Sequence, residues 1–240
     1  MALVKKFQIE IFKITKHTNS VCTLVMTPIS AVPDFSPGQF LHLALDPYSP
    51  SSRWPESRVF SIQSSPSRKQ HLVVTFAVKG RFTKRLYDEL KVGDKIWIKM
   101  PYGSFTFTQN NFDKILIAGG TGITPFLSYL SNEVDDNSNQ KIHLFYGIRN
   151  DKLILFEDDI KEYQSKLKNF SITYFIESAT KSVTNYEQGP LNIEKILAKI
   201  DSIDNKEYFL SGPPRMIAKF NDDLLKLNIT KEKILIDAWE

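Results

Sequence analysis

Three short segments of this chain carry residue types suited to holding phosphorylated, planar molecules: Arg58-Val59-Phe60-Ser61, Gly119-Gly120-Thr121-Gly122-Ile123-Thr124-Pro125 and Ser211-Gly212-Pro213-Pro214-Arg215-Met216. Arginine's planar fork of donors matches a diphosphate, and an aromatic ring stacks on another ring system. Alternation along an extended segment sends Arg58 and Phe60 to one face and Val59 and Ser61 to the other. In the second segment the apolar run Ile115-Leu116-Ile117-Ala118 leads straight into the glycines. Thr124-Pro125 then opens a helix, with proline where its missing N–H costs nothing. Glycines let the backbone approach a pyrophosphate, whose negative charge is favoured by the free amides and positive end of a helix. The third segment repeats this order, and two glycine turns at the carboxyl edge of one sheet face one crevice. Gly80-Arg81-Phe82-Thr83 precedes a short helix whose amides would hold a second face of the same phosphate group. Each segment alone also fits a structural reading: a tight turn, a surface arginine beside a core phenylalanine, a plain helix cap.

Two halves of different period must position these segments. From Lys5 to about Asn110, short strands with period-two alternation are separated by Pro, Gly and Ser clusters, which predicts a sandwich or barrel. The expected strands are Phe7 to Ile14, Val21 to Thr27, Gln39 to Leu45, Arg58 to Gln63, Leu72 to Val78 and Lys95 to Lys99. One helix is expected to start at Thr83, and Pro47 to Pro55 is a long surface loop placed to cover a ligand. After Asn110, apolar runs alternate with helical patterns, as expected for a parallel sheet buried on both faces. The runs are Ile115 to Ala118, Ile142 to Tyr146, Ile172 to Ile176, Tyr208 to Leu210 and Ile234 to Ile236. Helices are expected at Pro125 to Glu133, Leu155 to Leu167, Ile193 to Ile200 and Pro214 to Leu227. The domain boundary falls near Asn110-Asn111, giving residues 1–110 and 111–240.

At 240 residues the chain is long enough for two domains, and its 31 basic and 27 acidic residues are spread without the basic blocks that bind nucleic acid. The single cysteine, Cys22, cannot form an internal disulfide or hold an iron–sulfur cluster, so any resident electron carrier is organic. Cys22 lies in an apolar strand and reads as a small buried side chain. His17, His42, His71 and His143 show no metal-ligand spacing, so no metal site is expected. The N-terminus lacks the unbroken apolar core of a signal peptide and no stretch is long enough to span a bilayer. Cytoplasmic residence is the resulting expectation.

Taken in order, Pro37-Gly38-Gln39-Phe40, Arg58 to Ser61, Gly80 to Thr83, Gly93-Asp94, Pro101-Tyr102-Gly103-Ser104-Phe105, Gly119 to Pro125, Tyr146-Gly147-Ile148-Arg149 and Gly212-Pro213-Pro214 resemble the ferredoxin–NADP⁺ reductase superfamily over essentially the whole chain. The resemblance implies an antiparallel Greek-key barrel binding FAD, with FMN the lesser choice. A Rossmann-like α/β domain with a five-stranded parallel sheet follows and binds NADH or NADPH, and flavin and nicotinamide meet between the two. Arg58, Gly80, Arg81, Phe82 and Thr83 would then serve the flavin diphosphate, Phe60 the isoalloxazine, and Ser61 a hydrogen bond near its N5. Gly119, Gly120, Thr121, Gly122, Thr124, Pro125, Gly212, Pro213 and Met216 would hold the nicotinamide nucleotide.

Three departures stand out. The family often has Tyr at the position of Phe60 and Cys at that of Ser211, so hydride transfer is affected more than binding. The chain closes on Asp237-Ala238-Trp239-Glu240, where many relatives carry an acid and then an aromatic over the flavin. Asp237 would relay a proton toward Ser61 and Trp239 would shield the ring; an end packed only for stability is the equal alternative. Glu177, at the end of the third strand of the second half, matches an acid that accepts bonds from the adenosine ribose, which favours NADH by repelling a 2′-phosphate. Ser178 and Lys181 leave NADPH open.

The expected activity is hydride transfer from NAD(P)H to bound FAD, with Ser61, Ser211 and Asp237 as its catalytic group. Electrons pass to a ferredoxin, a flavodoxin, an oxygenase component or a small molecule. Alternatives are a flavin reductase that releases reduced flavin and an electron-transfer flavin subunit of a larger complex.

Overall fold

Period-two alternation places one face of each early strand on an apolar core, and the strands pair accordingly. The computed structural model describes residues 3–18, 20–178 and 186–238. β1 (Lys5–Thr18), β2 (Val21–Pro28), β3 (Phe40–Ala44), β4 (Ser57–Ser61), β5 (Leu72–Ala77) and β6 (Lys95–Tyr102) form an antiparallel sheet in the order β4-β3-β6-β1-β2-β5. Its edges meet where the Gln63 amide donates to the Val73 carbonyl at 2.8 Å, which curls the sheet into a barrel. Ile9, Ile11, Leu24, Leu41, Leu43, Val74 and Ile98 fill the inside. The helix α1 (Arg81–Glu89) adds Phe82 and Leu86 to that core.

Two details differ from the sequence reading. β1 runs beyond Phe7 to Ile14 at both ends: Lys5 and Lys6 pair with Met100 and Lys99 of β6, and irregularities between Ile11 and Lys13 and between Lys16 and Thr18 let pairing with β2 continue where alternation breaks. α1 begins at Arg81 rather than Thr83. The threonine sits inside the first turn, where its Oγ1 accepts from the Lys79 and Gly80 amides at 2.9 and 3.1 Å and so caps the helix from within.

The later apolar runs become β7 (Asp113–Gly119), β8 (Ile142–Asn150), β9 (Phe170–Ser178), β10 (Tyr186–Gln188), β11 (Lys206–Ser211) and β12 (Ile234–Ile236), all parallel, in the order β10-β9-β8-β7-β11-β12. Around them lie α2 (Thr124–Asp135), α3 (Glu157–Lys166), α4 (Ile193–Leu197) and α5 (Pro214–Lys226). Leu116, Phe145, Phe175 and Phe209 are wholly buried, as strands covered on both faces require. The sheet has six strands instead of the expected five. The added β10, Tyr186-Glu187-Gln188, has no apolar run to betray it and owes its extended form to pairing with Tyr174–Ile176 of β9. α3 starts later than Leu155 because Phe156 adopts a left-handed φ of 63°.

Packing divides the chain into one unit up to Phe107 with Leu127–Asn132 and a second of Thr108–Phe126 with Glu133–Ala238. Two buried lysines of the second unit are paired. The Lys114 ammonium donates to Glu207 Oε2 at 2.6 Å, Asn110 Oδ1 at 2.7 Å and the Thr108 carbonyl at 3.2 Å, and Lys206 lies between Asp113 and Asp201. Such pairs are costly to bury and costlier to break. Among the described residues no helix is long and apolar enough to cross a membrane.

Candidate functional site

In the first unit, β4 pairs with β3 so that Phe40 faces Ser61, Leu41 faces Phe60 and Leu43 faces Arg58. The Arg58 guanidinium is exposed above the Phe82 ring, 5.2 Å from its centroid. It donates to Glu56 Oε1 at 3.0 Å, and Arg81 donates to Oε2 of the same carboxylate at 3.3 Å. Glu56 thus holds both guanidinium groups together beside the first turn of α1, whose leading amides have no intrahelical acceptor. Nothing in its spacing singled Glu56 out beforehand. Phe60 is only 4% exposed, its ring tilted against Phe76 with centroids 5.5 Å apart, and Phe82 is likewise in the core. Ser61 is 2% exposed, and its Oγ has no hydrogen-bond partner among the described residues.

In the second unit, β7 and β11 are neighbours with Ala118 opposite Ser211, which brings their glycine turns side by side. Gly119 ends β7, Gly120–Ile123 form a 3-10 turn, and α2 starts at Thr124, whose Oγ1 donates to the Thr121 carbonyl at 3.0 Å. The loops touch so closely that a Cβ on Gly122 would stand 2.4 Å from the Ser211 carbonyl oxygen. Gly212 has a φ of +153°, Pro213 precedes α5, and Met216 packs over Gly119. Ser211 Oγ donates to Asp237 Oδ2 at 2.8 Å, with both residues buried. These two candidates, one ending β11 and one following β12, are brought together by the sheet.

Glu177 is exposed near the end of β9, and its backbone carbonyl accepts from Gln188 Nε2 at 3.0 Å. Sequence reasoning assigned no role to the carboxyl half of β8, yet it holds two more orphans. Tyr146 Oη and Asn150 Oδ1 are buried without a partner among the described residues, and burial drives the Tyr146 phenol well above its ordinary pKa. Tyr146 precedes Gly147, which faces Gly119 across the sheet. Trp239, the expected flavin shield, and Lys181, the residue that left NADPH open, lie outside the described residues. A cleft of about 470 Å³ lies at the other, amino edge of the sheet, lined by Asp113, Lys141, Asp201 and Lys206. Its charges pair with one another, whereas α/β sheets bind ligands beyond their carboxyl ends.

The residues present fit both nucleotides: guanidiniums and free amides for phosphate, glycine turns at the carboxyl edge, and unsatisfied buried hydroxyls near each. Residues 10–107 match the oxidoreductase FAD-binding domain family, and residues 116–222 match the oxidoreductase NAD-binding domain family. The chain is 28% identical over 249 residues to the reductase component of propane 2-monooxygenase from Rhodococcus jostii (strain RHA1), covering 98% of this chain and 64% of that one. The chain therefore spans less than two thirds of that relative. The FAD/NAD-binding domain of nitric oxide dioxygenase from Vibrio cholerae superposes with a TM-score of 0.82 at 20% identity, covering 96% of this chain and 97% of that one. A ferredoxin NADP⁺ reductase from Neisseria gonorrhoeae, solved with FAD and NADP, gives 0.78 at 18% identity, covering 97% and 98%.

Barrel, parallel sheet and matched families together define a two-domain fold, an FAD-binding domain of the oxidoreductase kind followed by an NAD-binding one. Residues 10–107 belong to the oxidoreductase FAD-binding domain family and residues 116–222 to the oxidoreductase NAD-binding domain family, in a fold shared with the Neisseria ferredoxin NADP⁺ reductase.

Proposed function

We propose that this chain takes hydride from NADH at an FAD held by residues 1–110, with residues 111–240 holding the nicotinamide nucleotide, and passes the electrons to a separate acceptor. The observation that carries the reading is Ser61, a buried hydroxyl with no partner among the described residues, at the end of the strand that bears Arg58. A buried hydroxyl left unpaired costs about 1–3 kcal/mol, and a ligand atom bonded there removes the cost. When bound, FAD supplies the ring that accepts hydride and releases electrons onward.

The chain's own residues bind and orient. Arg58 and the first-turn amides of α1 take the flavin diphosphate, with Gly80, Arg81 and Thr83 shaping that turn and Glu56 holding the guanidiniums in place. Ser61 fixes the flavin edge by a hydrogen bond, and the buried rings of Phe60 and Phe82 support the strand and helix beneath it. The turn from Gly119 to Pro125, with Gly212, Pro213 and Met216, takes the nicotinamide nucleotide's phosphates. Ser211, its proton directed at Asp237 Oδ2, presents its oxygen to the nicotinamide. Glu177 accepts the adenosine ribose hydroxyls and repels a 2′-phosphate.

The acceptor is an oxygenase component or a ferredoxin- or flavodoxin-type carrier, a reading supported by the Rhodococcus relative's being the reductase component of a monooxygenase. Cytoplasmic residence, beside the NADH pool, belongs to the same proposal.

Anaerobic titration with NADH and then NADPH tests it. The protein is expected to stay yellow through gel filtration and to bleach with NADH at lower concentration than with NADPH. Glu177→Ser should narrow that preference by about tenfold, the value of roughly one lost charge contact. A colourless polypeptide that takes up neither FAD nor FMN ends the proposal.

A further inference from the structure

The outer face of the barrel, turned away from its apolar core, gathers cations and aromatic rings, and its one acid on β1, Glu10, stands apart from them opposite Lys95. Cross-strand register lines up Lys6 of β1, Lys99 of β6 and His42 of β3 in one row, with Gln8, Trp97 and Ala44 in the next. The loop after β3 folds down onto this face. The Tyr48 ring stands edge-on to Trp97 at 5.3 Å between centroids and 5.2 Å from Trp54. The Lys6 ammonium lies 4.9 Å from the Tyr48 ring centre and that of Lys99 lies 5.3 Å from Trp54 and 5.4 Å from Tyr102. Tyr102 in turn stands edge-on to His42 at 4.7 Å.

This row costs free energy as it stands. Like charges directly opposite on neighbouring strands are destabilising, and the ring contacts and the Lys6 ammonium's donation to Tyr48 Oη at 3.1 Å return only part of that where water has access. β3 and β6 contain no acidic residue, and the single acid of β1, Glu10, stands opposite Lys95. The acids flanking the loop are committed elsewhere, Asp46 to Arg85 and Glu56 to Arg58 and Arg81. Neither Lys6 nor Lys99 has a carboxylate partner among the described residues, whereas the buried Lys114 and Lys206 both do. Burial and then Lys6 lower the Lys99 pKa, and burial and then Lys99 push His42 down to about 4. No carboxylate among the described residues relieves this crowding, and an acidic group brought by a partner would.

We propose that this face docks an acidic segment of a partner protein, its carboxylates reaching Lys6 and Lys99 while its apolar side chains lie on Trp54, Trp97 and Tyr102. Charge complementarity selects an acidic partner. The breadth of the face selects a protein: three strands at about 4.8 Å spacing make the row about 10 Å wide, and rings continue from Trp97 to Tyr102 along β6. Tyrosine and tryptophan are also the side chains that anchor protein interfaces. This docking site does not depend on the hydride reading, because it uses none of the residues assigned to FAD or NADH.

The test uses the FAD-loaded protein and a fluorescein-labelled octaglutamate peptide at low ionic strength, read by anisotropy. Lys6→Glu with Lys99→Glu should weaken binding at least about tenfold, as expected on reversing paired charges at an interface. A control reversal of equal charge, Lys152→Glu with Lys231→Glu, should change it less than about twofold. Trp54→Ala should weaken it as well. If the first double variant loses FAD, Lys6→Gln with Lys99→Gln replaces it with the same expectation. The proposal is overturned if the peptide does not bind, if both double variants weaken it equally, or if inorganic phosphate displaces it at lower concentration than the peptide itself. Self-association of the wild type that Lys6→Glu with Lys99→Glu abolishes would assign the face to a second copy and also overturn it. Flavin bleaching by NADH, followed in the same samples, should be unchanged, which separates this result from the fate of the hydride reading.

Discussion

Ser211 Oγ donates to Asp237 Oδ2 at 2.8 Å, tying the residue that ends β11 to the one that follows β12. The parallel register explains the meeting: Leu210 pairs with Ile236, and the Asp237 amide donates to the Leu210 carbonyl at 2.9 Å. The next residues along, Ser211 and Asp237, are thereby neighbours. A hydrogen bond to a charged group is worth about 1.5–3 kcal/mol, so Ser211→Ala should lower the melting temperature and leave Asp237 short of a donor. Under the proposed function it should also slow flavin reduction at saturating NADH, and Asp237→Asn, which keeps the shape, should do less harm to folding than Asp237→Ala. Thermal melts and stopped-flow absorbance check both, and a Ser211→Ala protein equal to wild type in each would remove the pair from the site.

Ser61 gives a prediction with opposite signs in the two states of the protein. Its hydroxyl is buried and unpaired, so Ser61→Ala should leave the FAD-free protein as stable or more stable, by up to about 1 kcal/mol. The same change should weaken FAD binding about tenfold, the loss of one good hydrogen bond. Denaturant melts of the stripped protein and fluorescence titration with FAD measure the two effects. Destabilisation without FAD, combined with unchanged affinity, contradicts the assignment.

Gly122→Ala tests the contact between the two turns. The new Cβ would press on the Ser211 carbonyl oxygen at 2.4 Å, which is backbone and cannot rotate away. Overpacking of this kind costs about 1–3 kcal/mol and should displace the first turn as well. Lower urea resistance with NADH affinity reduced in parallel is expected. Alanine at Gly120, where the space above is open but φ is +56°, should cost backbone strain of about 1 kcal/mol without the clash.

Acid should unfold the protein partly through His143. Burial, and to a lesser extent Lys199, pushes this imidazole from 6.5 down to about 4. Between those two values the unfolded chain takes up a proton that the folded chain refuses. Its contribution is therefore complete above pH 6.5 and is lost as pH falls toward 4. Asp201, whose carboxyl Lys141 and Lys206 hold well below its usual range, adds to the loss at lower pH, while Glu133, raised by burial, works against it. In His143→Gln, which can still reach Thr173, the fall in urea midpoint from pH 7 to pH 4.5 should be shallower than in wild type. An identical slope would show that the imidazole titrates normally.

Local chemistry determined much of this molecule. Period-two alternation, buried apolar runs and Gly or Pro punctuation are set by neighbours in the chain, so the barrel strands, the parallel strands and the glycine turns could be read directly. The helix starts at Thr124, one residue before the expected Pro125, and at Pro214 followed from the same local rules. Tertiary structure alone decided what depends on a partner far away in sequence. β10 is extended only because β9 is beside it, and Glu56 matters because Arg58 and Arg81 converge on it. Ser61 is orphaned because the barrel closes over it, and Lys6, Lys99 and His42 crowd one another only through strand register. Covalent neighbours dictate which conformations a segment favours, but burial, pairing and repulsion arise between segments and exist only once the chain has folded.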